Sequence, residues 1–187
     1  MWPRSTRAAS SRYRRNSILV KTVLSFVLFS LTLPALAYDV NGVELGGKEI
    51  DVKKTFPSVH CKELEWRTDA ADRRCDDARI PLGGAGGAEA KVTFYLKAGV
   101  IRAFDLRFDI KELEKVKALL RKRWGAPMSE ATETIGARNK DQKDRQVFKM
   151  RWEKGADRAI LTAQLEKKRA NVEVARGNFF NEVYRVK

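Results

Sequence analysis

The sequence predicts an α+β fold of about five mostly antiparallel strands with two helices packed on one face, in two passes of an α-β-β pseudo-repeat. Three observations carry that expectation. Two stretches of period-two alternation, 91–108 and 147–165, each reverse at a glycine turn. A segment of helical period with strong signals at both ends lies between them, at 110–124. A shorter helical pattern, 48–56, precedes the first strands.

In chain order the first feature is a secretory signal peptide, 1–37. Arg4, Arg7, Arg12, Arg14, Arg15 and Lys21 form a basic, acid-free start, 22–33 is an apolar run, and Pro34-Ala35-Leu36-Ala37 offers an A-x-A site. Cleavage is expected between Ala37 and Tyr38. The apolar run is shorter than the roughly 20 residues that span a bilayer, so the membrane is met only during export. A lipoprotein would need cysteine at position 38, which is Tyr. Arg14-Arg15 fits a twin-arginine signal only loosely. Val20, read as an alternative initiator, would give a compact signal for general secretion. The mature chain, 38–187, is expected to be a single α+β domain in the periplasm, with secretion beyond it as the alternative.

Residues 41–47 form a turn-rich lead-in. A helix over 48–56 puts Val52 and Phe56 on one face, and Pro57 stops it. The glycine-rich stretch 81–87 lacks the G-K-[ST] ending of a phosphate loop and is read as a mobile connector. In the hairpin that follows, Val92, Phe94 and Leu96 share one face, as do Phe104, Leu106 and Phe108. Asp105 and Arg107 fall on the wetter side, where a Lys or Asp on the paired strand is expected to balance them. Asp109 and Glu112 make a D-x-x-E capping box for a helix at 110–124 with the stripe Leu113, Val116, Leu120 and Trp124. Gly125 and Pro127 end it. Polar 129–145 reads as a long exposed loop or frayed strand. Strands follow at 147–152, 159–165 and 172–176, with a turn at 166–171. The last residues, 179–187, are β-branched and aromatic, and strand is preferred over a short helix.

The full chain carries a formal net charge of +14. Six basic residues and no acid precede Tyr38, so the mature part keeps 32 basic against 24 acidic residues, or +8. That favours an anionic envelope component or an acidic envelope protein as partner; an exported chain meets no nucleic acid. Cys61 and Cys75 are the two cysteines, an even count that predicts one disulfide in an oxidising compartment. The segment it encloses is densely charged, with Trp66 as its large anchor.

Catalytic residues are not predicted. His60 is the single histidine and adjoins Cys61, which leaves zinc without ligands. Asp69, Asp72, Asp76 and Asp77 lack calcium-loop spacing and are interleaved with arginines that neutralise them. No metal and no cofactor are expected. The candidate interaction residues are Trp66, Arg67, Arg73 and Arg74 on the cysteine loop, and Lys167, Lys168 and Arg169 in a hairpin turn. Arg121-Lys122-Arg123 complements the dipole at its helix end. If both basic runs lay on one side of the sheet they would form an anion-binding patch.

The wording N-G-V-E-L-G (41–46), D-V-K-K-T-F-P-S-V-H-C (51–61), A-A-D-R-R-C-D-D (70–77), T-F-Y-L-K (93–97), F-D-L-R-F-D (104–109) and K-R-W-G-A-P (122–127) resembles a group of uncharacterised exported proteins of proteobacteria. More distantly, a G-x-x-L-G turn opening a helix, then antiparallel strands and a second such unit, resembles β-lactamase-inhibitor-like proteins and small outer-membrane assembly lipoproteins. That resemblance implies a binding or scaffolding module rather than an enzyme. The expected function is therefore a non-enzymatic binding or interaction module of the cell envelope, with Trp66 as an exposed contact. The alternative is an envelope hydrolase or small-ligand enzyme drawing its acids from 69–77.

Overall fold

The computed structural model describes residues 37–66, 68–137 and 144–185, without the side chains of Asp77 and Ala78. Residues 1–36 of the predicted signal peptide (1–37) and the candidate contact Arg67 lie outside the described residues. Tyr38 lies deep in the core, its ring edge-on to Trp124 at 5.1 Å.

Two short strands, β1 (Asp39–Val40) and β2 (Val43–Glu44), pair across the turn Asn41-Gly42. Both turn residues take positive φ, 49° and 88°, as a two-residue hairpin of the primed type requires. There follow α1 (Glu49–Thr55), β3 (His60–Glu63), β4 (Arg73–Leu82), β5 (Ala88–Lys97) and β6 (Val100–Asp109). A 3-10 turn, Ile110–Glu112, leads into α2 (Leu113–Trp124). Then come β7 (Ser129–Ile135), β8 (Arg145–Lys154), β9 (Asp157–Gln164), β10 (Arg169–Arg176) and α3 (Phe179–Glu182).

Eight of these strands make one antiparallel sheet in the order β3-β4-β5-β6-β10-β9-β8-β7. The described residues are thus mostly β with three short helices, which corrects the predicted α+β fold of about five strands. α1 and α2 are each followed by a four-strand meander in place of the two-strand unit expected. The last strands of the two meanders, β6 and β10, meet at the centre of the sheet.

Alternation along the strands decides what each face meets. On one face Val92, Phe94, Leu96, Leu106, Met150, Trp152, Leu161, Val172 and Val174 are buried against Val52 and Phe56 of α1 and the α2 stripe Leu113, Val116, Leu120 and Trp124. Trp124 meets Trp152 edge-on at 5.6 Å, and the Trp152 indole donates to the Gly125 carbonyl at 3.0 Å. Asp109 caps the 3-10 turn by accepting from the Lys111 amide at 3.0 Å, so α2 proper begins one turn later than the capping box implied.

One alternative is decided and two further expectations are corrected. Part of the 129–145 segment, read as an exposed loop or frayed strand, forms β7, an edge strand with every residue exposed. The stretch 179–187 opens with a helix, because Phe179 and Val183 lie one turn apart and bury together against Tyr95, Ala103 and Ala175. Of the glycine-rich stretch, Pro81 and Leu82 belong to β4, and 83–87 is the β4–β5 hairpin loop. Asn41 holds that loop, donating to the Pro81 carbonyl and accepting from the Gly83 amide at 2.9 and 2.8 Å.

Candidate functional site

Among the described residues no helix layer lies over the centre of the second face of the sheet, and the strand register arranges its side chains in transverse rows. One row runs Asp76, Thr93, Asp105, Glu173, Ile160 and Arg151. Beside it runs Lys91, Arg107, Asn171, Thr162 and Lys149. Carboxylates and cations therefore lie in adjacent lines across the middle of the molecule.

Asp105 is the focus. It is 3% exposed, and its Oδ2 accepts from the Arg107 Nε at 2.6 Å. The two balance each other along one strand, where a partner on a neighbouring strand was expected. Burial pushes Asp105 above the ordinary carboxylate range, against the pull of Arg107. Glu173 sits directly opposite and is also raised, by burial first and then by the Asp105 charge. Its Oε1 accepts from the Asn171 amide at 3.2 Å.

At one end of this face the disulfide loop and the C-terminal helix meet. Ala71, Tyr95, Ala103, Ala175, Phe179 and Val183 form a small buried cluster of their own. Trp66 is half-buried: its indole donates to the Val183 carbonyl at 2.8 Å, and its ring stacks on Tyr184 at 6.2 Å. Thr68 Oγ1 donates to the Glu182 carbonyl at 3.1 Å. The expected exposed contact is thus a clamp on α3, a role that depends on a partner at the far end of the chain.

The Cys61–Cys75 disulfide is present, between residues directly opposite on β3 and β4. Glu49 brings a carboxylate within 4.8 Å of both sulfurs, but these are bonded to each other and leave no thiolate for a metal. Arg73 reaches Glu49 at 3.5 Å. Arg74 pairs with Asp76 at 3.1 Å and covers the Trp66 ring. The acids of 69–77 act on their neighbours: Asp72 accepts from the Ala98 amide and Asp76 from the Thr93 hydroxyl, each at 2.8 Å. The Asp77 side chain lies outside the described residues, and His60 is exposed on the edge strand β3.

The two basic runs lie on different sides of the sheet and make no common patch. Arg121 pairs with Glu130, and Arg123 with Asp39 at 2.6 Å, on the helix side. Lys167, Lys168 and Arg169 instead border a groove of about 800 Å³ at the other end of the open face, together with Arg107. Alternation alone had put Arg107 on this face; its proximity to the second basic run arises only from β6–β10 pairing.

Among the described residues no helix is long and apolar enough to cross a membrane. Comparison of the chain with protein-family models, with curated proteins and with solved structures found no match.

Proposed function

We propose that the protein is an exported, non-enzymatic binding module of the cell envelope, and that the open face of its sheet holds a partner protein. The observation that carries this reading is the asymmetry of the sheet. One face is sealed by α1 and α2, while the other carries ordered rows of polar and charged groups across its central strands. A rigid face of this kind offers many fixed contacts at little ordering cost.

Export is supported by the disulfide, which belongs in an oxidising compartment, and by the leader pattern of the first 37 residues. A helix followed by four antiparallel strands, run twice into one sheet, is in keeping with the resemblance to β-lactamase-inhibitor-like binding modules. The hydrolase reading is weakened by what the acids near the disulfide do: Asp72 and Asp76 already accept hydrogen bonds from Ala98 and Thr93.

A photo-crosslinking residue placed at Thr162 on the open face, and separately at Lys122 on α2, tests the proposal in the living envelope. Cross-links to a defined protein from position 162 and none from 122 are expected. Adducts from 122 alone, or turnover of cell-wall substrate that Asp76→Asn abolishes, would overturn it.

A further inference from the structure

The β9–β10 turn end of the open face gathers cations in a way that calls for a ligand of its own. The groove there is lined by Arg107 of β6, Arg169 of β10, and Lys167 and Lys168 of the turn, with the amides Gln164 and Asn171 and the carboxylate Asp109. Register explains the gathering. Asn171 stands opposite Arg107, Arg169 opposite Asp109, and Gln164 opposite Arg169, so all five point to the same side of the sheet.

The turn is held in place by its backbone. Lys167 and Lys168 amides donate to Gln164 and Leu165 carbonyls at 3.1 and 3.3 Å, and Ile110 donates to the Lys168 carbonyl at 3.2 Å. Its one acid, Glu166, is turned away, accepting from the Gln146 amide at 2.7 Å. Asp109 is committed to the Lys111 amide. Arg107 binds Asp105 through Nε, and its side chain is still 65% exposed. Its terminal nitrogens are the part left for the groove.

Set against Asp105, Glu173 and Asp109, the four cations and Lys91, which stands across from Arg107 on β5, leave two positive charges in excess. A single carboxylate matches only one of them. A phosphate monoester carries close to two negative charges, and the planar guanidinium fork suits its oxygens.

We propose that this groove binds phosphate-bearing ligands, seating the phosphate between Arg107 and the Lys167-Lys168-Arg169 turn. The phosphate belongs either to a soluble ester or to a phosphorylated lipid headgroup; the recognising chemistry is the same. The inference goes beyond the protein-binding reading and does not rest on it, since a chain that captures no protein keeps this groove.

Calorimetric titration of the purified protein with inorganic pyrophosphate, and co-sedimentation with phosphatidylcholine vesicles with and without phosphatidic acid, test it. The double variant K167E/K168E is compared with K54E/K122E, which changes net charge equally at exposed helix positions on the opposite side. Expected is a loss of about tenfold or more in pyrophosphate affinity for K167E/K168E, and less than about twofold for K54E/K122E. Arg107→Lys keeps a cation beside Asp105 and removes the fork, so it too should weaken pyrophosphate while unfolding normally in urea. Binding of pyrophosphate together with phosphatidic acid vesicles assigns the headgroup; binding of pyrophosphate alone assigns a soluble ester. Absence of binding to both probes, or equal losses in the two double variants, would overturn the proposal.

Discussion

Asp105 and Glu173 face each other across the seam between β6 and β10, two carboxylates in register at the centre of the sheet. Both have pKa values raised in the folded state, with burial as the first cause. The native protein therefore binds protons that the unfolded chain releases. In the window from the ordinary carboxylate range up to the raised values, this pair's contribution to stability falls as pH rises. Lowering the pH from neutral into that window should stabilise the protein relative to Glu173→Gln, whose urea midpoint should lack the part due to Glu173 and keep the part due to Asp105. At neutral pH Glu173→Gln should be more stable by about 0.2–1 kcal/mol, the usual cost of like charges directly opposed. A lower midpoint for the variant would contradict this.

Tyrosine ionisation gives a second check. Burial, with the charges of Asp157 and Glu153 behind it, pushes the Tyr38 hydroxyl up to about 12. Tyr95 is raised further, by burial and by its hydrogen bond to Tyr184. A near-ultraviolet absorbance titration should show a late phenolate step at about 12 that Tyr38→Phe removes. If that variant instead deletes a step near the ordinary value of about 10, the packing around Tyr38 is wrong.

The disulfide closes a loop with a sequence separation of 14. Replacing both cysteines by serine should cost about 3 kcal/mol in the chain-entropy account, read as a shift of the urea transition. Because Trp66 and Thr68 tie this loop to α3, amide exchange should rise together at 64–72 and 179–183. Faster exchange in the loop alone would show that the clamp is not a coupling.

Gly87 is a position without room. A Cβ there would stand 1.9 Å from the Leu82 carbonyl oxygen, so Gly87→Ala must force the hairpin loop open. The expected loss is about 1–3 kcal/mol. Gly86→Ala meets no atom within 4 Å and suffers only its positive φ of 79°, about 1–2 kcal/mol. Thermal unfolding of the pair should rank Gly87→Ala as the less stable.

How far the fold was legible follows from where the apolar residues fall. The β5–β6 hairpin and α2 were readable because each buries a regular stripe, at period two and about 3.6 respectively. β7 was not, since Ser129–Ile135 buries nothing and lacks any alternation to detect. β3 and β4 were hidden by the charges of their open-face residues, which made a stapled strand pair look like a solvated loop. α3 had a helical spacing in Phe179 and Val183, but its aromatic and β-branched composition pointed to strand. The site was less legible than the fold. Arg107 and Lys167–Arg169 converge only through strand pairing, and the partner of Trp66 lies 117 residues away.

In the large sheet every strand pairing but one joins neighbours in the chain; the exception is β6 with β10. The molecule is thus assembled from two runs of local hairpins that must find each other once. Local pairing is fast, and the single long-range closure is the step that topology makes slow. Truncating Leu106 or Val172 at that seam should therefore slow refolding, whereas changes in β7 should mainly hasten unfolding. Until the halves meet, β6 and β10 are each an unpaired edge, and the interval before closure is when a newly made chain is most exposed to pairing with the wrong neighbour.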